Sequence, residues 1–213
     1  MVDVNARSCR DTRRQAILET ASDIFLKEGF AAASMSAIAA RVGGSKGTLY
    51  NYFDSKQTLF NAVIQDHCDR GQAAVFDFDI QAADFGAGLK TLGERYLLLT
   101  LSDEVIALNR LVIAEAVRFP EIGHTLYEAG LKRGLKRIAA YIRTGMDTGR
   151  LRAGDPDLAA EQLVELCLSG AYRLRLLNVA PQPDVADVRT KVETAYVTFM
   201  QVYGVDGPAE IAA

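Results

Sequence analysis

Between Ser45 and Lys56 the chain reads SKGTLYNYFDSK, a run whose side chains suit phosphates and base edges. Ser45 is a good helix N-cap, and the amides after it lie at the positive end of the helix dipole, where an anion is welcome. Lys46 in that first turn disfavours an isolated helix by about 0.3–1 kcal/mol. Its place there points to an anion supplied from outside. Gly47 removes a side chain where another backbone must come close. Thr48 offers a hydroxyl and a methyl, a pair that fits a base edge or a thymine methyl. Leu49 and Phe53, four apart, face inward and leave Tyr50 and Asn51 projecting outward. The Tyr52 phenol and the Lys56 ammonium suit backbone phosphates.

The elements that must position these groups are legible on either side. Before the run stands a short apolar-periodic segment, SMSAIAARV (Ser34–Val42), with Ser34 as N-cap and Ile38, Ala39 and Val42 facing inward, and then a Gly43-Gly44 break. Helix, glycine turn and short polar-aromatic helix together make a helix-turn-helix pattern. A first helix is predicted from about Asp11 to Lys27, with Ile17, Ala21, Ile24 and Phe25 as its buried stripe and Gly29 as C-cap. Residues 1–9 read as a loose arm. Asp54 with Gln57 reads as a capping-box-like start to a fourth helix that buries Leu59, Phe60, Val63 and Ile64 and runs to about Phe76.

A Gly- and Asp-containing stretch, Asp77–Gly88, separates this head from a larger body. Helices are predicted there at about 88–101, 103–118, 121–147, 157–178 and 184–203, with breaks at Ser102-Asp103, Phe119-Pro120, Gly149 to Pro156, and Ala180-Pro181-Gln182-Pro183. With no strand-like alternation, the fold class is all-α. The expected division is an N-terminal three-helix helix-turn-helix domain over residues 1–55 and a helical C-terminal domain over residues 56–213.

Composition narrows the function. The 213 residues are 49 % hydrophobic, enough for a core. No apolar run approaches the roughly 20 residues of a membrane span. The N-terminus lacks an apolar signal region, so a cytoplasmic location is expected. The net charge of −3 is unevenly spread, with eight basic against six acidic residues over 1–60 and sixteen against twenty-one in the remainder. A locally basic head on an acidic body directs the head toward phosphate. The three cysteines (Cys9, Cys68, Cys167) form no metal-type spacing or disulfide framework. With two histidines, no nucleophile elbow, no P-loop and no metal-spaced cluster, neither an enzyme nor a cofactor or metal site is expected.

Ser34 to Lys56 resembles the DNA-binding signature of the TetR/AcrR family of transcriptional regulators. The resemblance rests on Ser34, Ile38 and Ala39, on Ser45-Lys46-Gly47-Thr48-Leu49-Tyr50, on Tyr52-Phe53 and on Ser55-Lys56. Upstream, Ile17, Ala21, Phe25 and Gly29-Phe30 also fit. Ser102–Gly123 resembles, less specifically, the effector domains of an AcrR-like branch. Carried over, the resemblance implies base or phosphate contacts from Ser36, Ser45, Lys46, Gly47, Thr48, Tyr50, Tyr52 and Lys56. One departure stands out: Gly44 occupies a place where the family usually has an apolar residue, often Val, packed under the turn.

The resemblance also implies a homodimer on double-stranded DNA with a palindromic operator, since one recognition helix spans only a few base pairs. It further implies a small-molecule effector in the body, and the surrounding aliphatics suggest a largely apolar one. The function expected is a ligand-responsive regulator, most simply a repressor released by its effector. The alternative is a helical ligand-binding or adaptor protein without DNA-binding activity. Two apolar faces are available for dimerisation or for the internal core: Leu158, Leu163, Leu166, Cys167, Gly170 and Leu174 on one, and Val185, Val188, Val192, Ala195, Tyr196, Phe199 and Tyr203 on the other. Glu115 falls on the inward side of its helix and needs a partner, for which Arg110, Arg118 and Arg173 are candidates. His67, Tyr96, Asn109, Tyr127 and Tyr172 complete the effector-binding candidates.

Overall fold

The computed structural model describes residues 3–78 and 84–205, with side chains from residue 10 onward. Among the described residues there is no named strand, and helices α1 to α11 account for the fold. In order these are α1 (Asp3–Glu28), α2 (Met35–Val42), α3 (Lys46–Tyr50), α4 (Lys56–Phe76), α5 (Phe85–Thr100), α6 (Asp103–Ala116), α7 (Pro120–Leu126), α8 (Arg133–Asp147), α9 (Pro156–Leu168), α10 (Ala171–Leu176) and α11 (Val185–Tyr203). No helix is long and apolar enough to cross a membrane.

Several ends differ from expectation for local reasons. Helix α1 begins at Asp3, so most of the expected arm is helical; residues 1–2 and the Cys9 side chain lie outside the described residues. Helix α4 is capped by Ser55, whose Oγ accepts from the Thr58 amide at 3.0 Å, and Asp54 is left outside. The helix expected over 121–147 contains a π-helical turn at Tyr127–Lys132. The helix expected over 157–178 breaks at Ser169-Gly170, where Gly170 has φ 74°. Residues 79–83 of the expected linker lie outside the described residues, and Asp84 caps α5 by accepting from the Gly86 and Ala87 amides.

The chain divides into two compact units. One comprises residues up to Arg70 together with Ala107–Ala129. Its centre is aromatic. Phe60 lies 4.8 Å from Phe25 and 5.1 Å from Phe30, and Phe119 meets Phe30 edge-on at 5.2 Å. Ile17, Ile38, Leu49 and Leu59 close around them, each no more than 2 % exposed. The unit extends past the boundary expected after residue 55, because Phe60 and Ile64 of α4 and Leu108, Val112 and Ile122 complete its core.

The other unit comprises Gly71–Ile106 and the residues from Gly130 onward. Its core gathers Leu89 and Leu92 of α5, Ile142 of α8, Leu163 of α9, and Val188, Val192 and Phe199 of α11. Gly145 of α8 lies against the Phe85 ring so closely that any Cβ there would overlap it. Phe85 in turn stacks on Tyr141 at 5.0 Å, and the Tyr141 hydroxyl donates to the Phe85 carbonyl at 3.1 Å.

Candidate nucleic-acid interface

The turn between α2 and α3 is built by its caps. Ser34 Oγ accepts from the Ala37 amide at 3.1 Å and starts α2. At the other end Gly43 takes φ 74°, and the Gly43 and Gly44 amides donate to the carbonyls of Ala40 (3.2 Å) and Ala39 (3.0 Å). That is a Schellman C-cap, in which the left-handed position suits glycine. Ser45 then restarts the chain as N-cap of α3, accepting from the Thr48 amide at 3.0 Å. Its hydroxyl also pairs with the Thr48 hydroxyl at 2.8 Å.

Two anchors set the rotation of α3. Leu49 and Phe53, 2 % and 3 % exposed, are sunk in the aromatic core. Lys46, Gly47 and Tyr50 are all exposed, with the Lys46 ammonium 5.8 Å from the Tyr50 ring centroid. A Cβ at Gly47 would meet nothing closer than Ser45 Oγ at 3.7 Å, an ordinary contact. The fold itself therefore places no steric demand for glycine at 47. Ser36 is exposed on α2.

Tyr52 is half-buried with the Arg10 guanidinium over its ring at 5.8 Å, and Arg14 stands over Phe53 at 5.5 Å. From sequence the arginines of α1 register only as net charge. Their positions one and two turns ahead of the apolar stripe do not disclose that they meet Tyr52 and Phe53, just past α3. Lys56 has a role that the sequence does not disclose. Its ammonium donates to the carbonyls of Phe30 (2.6 Å), Ala31 (3.2 Å) and Ala33 (2.9 Å), and it sits 4.5 Å from the Phe30 ring centroid. This cation ties the start of α4 to the α1–α2 connection.

The six residues considered for an effector are divided between the two units. His67, Asn109, Glu115 and Tyr127 belong to the first unit, and Tyr96 and Tyr172 to the second. His67 is buried and shares a 2.7 Å hydrogen bond with the Ser22 hydroxyl, and Asn109 is also buried. Glu115 is half-buried rather than enclosed, and Tyr127 is 50 % exposed. Tyr127 borders an open recess of about 500 Å³ with Ala116, Pro120, Gly123, His124 and Glu128. In the second unit, burial pushes the Tyr96 phenol up to about 12 despite a hydrogen bond with the Thr100 side chain, and Tyr172, Glu165 and Cys167 stand near it. Burial raises the Tyr172 phenol as well.

Residues 17–63 match the family described as bacterial regulatory proteins, tetR family, and residues 87–205, more than half of the chain, match the AefR-like transcriptional repressor C-terminal domain. The chain belongs to the TetR family. It is similar to the HTH-type transcriptional regulator UidR of Escherichia coli K12, at 33 % identity over 81 % of this chain and 84 % of that one. Among solved structures it is similar to a TetR-family transcriptional regulator from Mesorhizobium loti (TM-score 0.83, 28 % identity, covering 92 % of this chain and 98 % of that one). It is also similar to the flavonoid-responsive regulator FrrA (TM-score 0.80, 26 % identity, covering 92 % and 100 %). The TetR-family assignment makes the chain a DNA-binding transcriptional regulator rather than an enzyme, and the partner of its helix-turn-helix is double-stranded DNA.

Proposed function

We propose that this regulator is a homodimeric repressor that reads a palindromic operator through α3 and releases it when a small, largely apolar and aromatic molecule binds the second unit. The observation that carries the reading is the outward face of α3. Lys46, Gly47 and Tyr50 are exposed, while Leu49 and Phe53 fix the rotation that presents them. The proposed contacts are Ser36, Ser45, Lys46, Gly47, Thr48, Tyr50 and Tyr52, with Lys56 supporting them from inside.

The dimer is supported by apolar side chains that the second unit leaves uncovered. Leu158, Leu174, Leu177, Val185, Val197 and Val202 are between 44 % and 73 % exposed. Val188, Val192, Ala195 and Phe199, which the sequence offered equally for dimerisation, fill the unit's own core. The effector is supported by the placing of Tyr96 and Tyr172 against the apolar core of the second unit and by the description of FrrA as flavonoid-responsive. Two phenol donors among aliphatic side chains suit a flat aromatic ligand with hydroxyl or carbonyl oxygens.

The test is a mobility-shift titration of the full chain on the DNA flanking its own gene, repeated with a panel of flavonoids and with fatty acids as contrast. Retardation that one aromatic compound abolishes is the expected result. Retardation unaffected by any aromatic compound would remove the effector assignment. Absence of retardation at low salt would favour the adaptor alternative.

A further inference from the structure

Gly43 and Gly44 are neighbours with different reasons to be glycine. Gly43 has φ 74°, and nothing lies within 4 Å of the place a Cβ would take, so its requirement is conformational. Gly44 does not have a positive φ, so its backbone suits any residue. A Cβ at Gly44 would instead meet Arg13 Nη2 at 3.0 Å, with Thr48 Cβ at 3.9 Å. The guanidinium of an α1 residue therefore packs directly on the α2–α3 turn, where a side chain at 44 would push its flexible tip aside.

Arg13 does little there for the fold. Nη2 donates to the Gly43 carbonyl at 3.3 Å, a long hydrogen bond at an exposed site. Among the described residues no carboxylate is paired with it. A guanidinium always carries its charge and offers five donors in a planar fork suited to phosphate. Here one of those donors is used, at the turn that precedes α3.

We propose that Arg13, seated by Gly44, is a DNA-contacting residue that holds a backbone phosphate next to the N-terminus of α3, and that Gly44 sets affinity for DNA through it. The inference rests on the DNA-binding assignment and adds to it a residue outside the helix-turn-helix. It also gives the glycine at 44 a purpose: the space of an under-packed turn is taken by a cation from another helix.

The test is fluorescence anisotropy of the full-length chain on a labelled mixed-sequence duplex over a salt series, with wild type, R13A, G44V and the double variant. Removing one phosphate contact per protomer makes the slope of log K against log salt shallower by about 1 per protomer bound. R13A is expected to show that change with its melting temperature kept. G44V is expected to show the same change, and the double variant no more than either single one, because both act on the same side chain. A wild-type slope in R13A overturns the proposal. Additive losses in the double variant overturn the coupling of Gly44 to Arg13. If G44V lowers the melting temperature, R13A and R13Q decide the matter, since both leave Gly44 intact. Failure of the wild type to bind the duplex would overturn the DNA-binding assignment along with the proposal, which separates that outcome from an altered slope.

Discussion

At the scale of single residues the interface contains groups the fold requires and groups it does not, and substitutions separate them. Gly47 is of the second kind, since a Cβ there stands in open space apart from Ser45 Oγ at 3.7 Å. Gly47→Ala should leave the thermal midpoint unchanged or raise it, by up to about 0.5–1 kcal/mol of stability from the better helix former. It should weaken DNA binding at least tenfold, as read by paired melting and anisotropy titrations. Lys56 behaves in the opposite way. Its ammonium satisfies three carbonyls, so Lys56→Met should cost about 1.5–3 kcal/mol of stability in denaturant melts. A variant with full stability and reduced DNA affinity would instead make Lys56 a phosphate contact, as its sequence position suggests. The roles of Ser34, Ser45, Leu49 and Phe53 were legible in the sequence because caps and apolar spacing are local properties. The three carbonyls around Lys56 were not, because they come from a segment more than twenty residues away.

At the scale of elements, packing against a glycine gives the sharpest expectation. The Phe85 ring occupies the place of a Cβ at Gly145, so Gly145→Ala must displace an aromatic wedge from the second unit. The expected loss is about 1–3 kcal/mol in a chemical melt, of the size usual for over-packed cores, and an unchanged midpoint would mean that α5 and α8 shift apart freely. The order of helices was readable from apolar periodicity and caps, and three of the departures have these physical causes. Asp54 and Ser55 are adjacent cap formers, and spacing alone does not choose between them; the structure selects Ser55. A π turn preserves the apolar character of a helix, so the one at Tyr127–Lys132 leaves no compositional mark. The two sides of α11 are both apolar. Only the assembled core shows that Val188, Val192 and Phe199 are inside while Val185, Val197 and Val202 remain exposed.

At the scale of the whole molecule the account depends on two copies of α3 acting together. The proposed dimer would use the uncovered side chains of the second unit. Placing charges among them, as in Leu174→Glu with Val197→Glu, should raise the dimer dissociation constant about a hundredfold or more, the effect of desolvated and unpaired carboxylates. Sedimentation equilibrium reads that change directly, and a dimer unaffected by both charges would place the interface elsewhere. The most direct test of the central claim, that α3 reads DNA by its outward face, is selection of binding sites from a random duplex library with the wild-type chain and with Thr48→Ala. The predicted result is an inverted repeat for the wild type, with preference relaxed at the same position of both half-sites in the variant. Recovery of one identical motif from both proteins, or of no motif from the wild type, would contradict it.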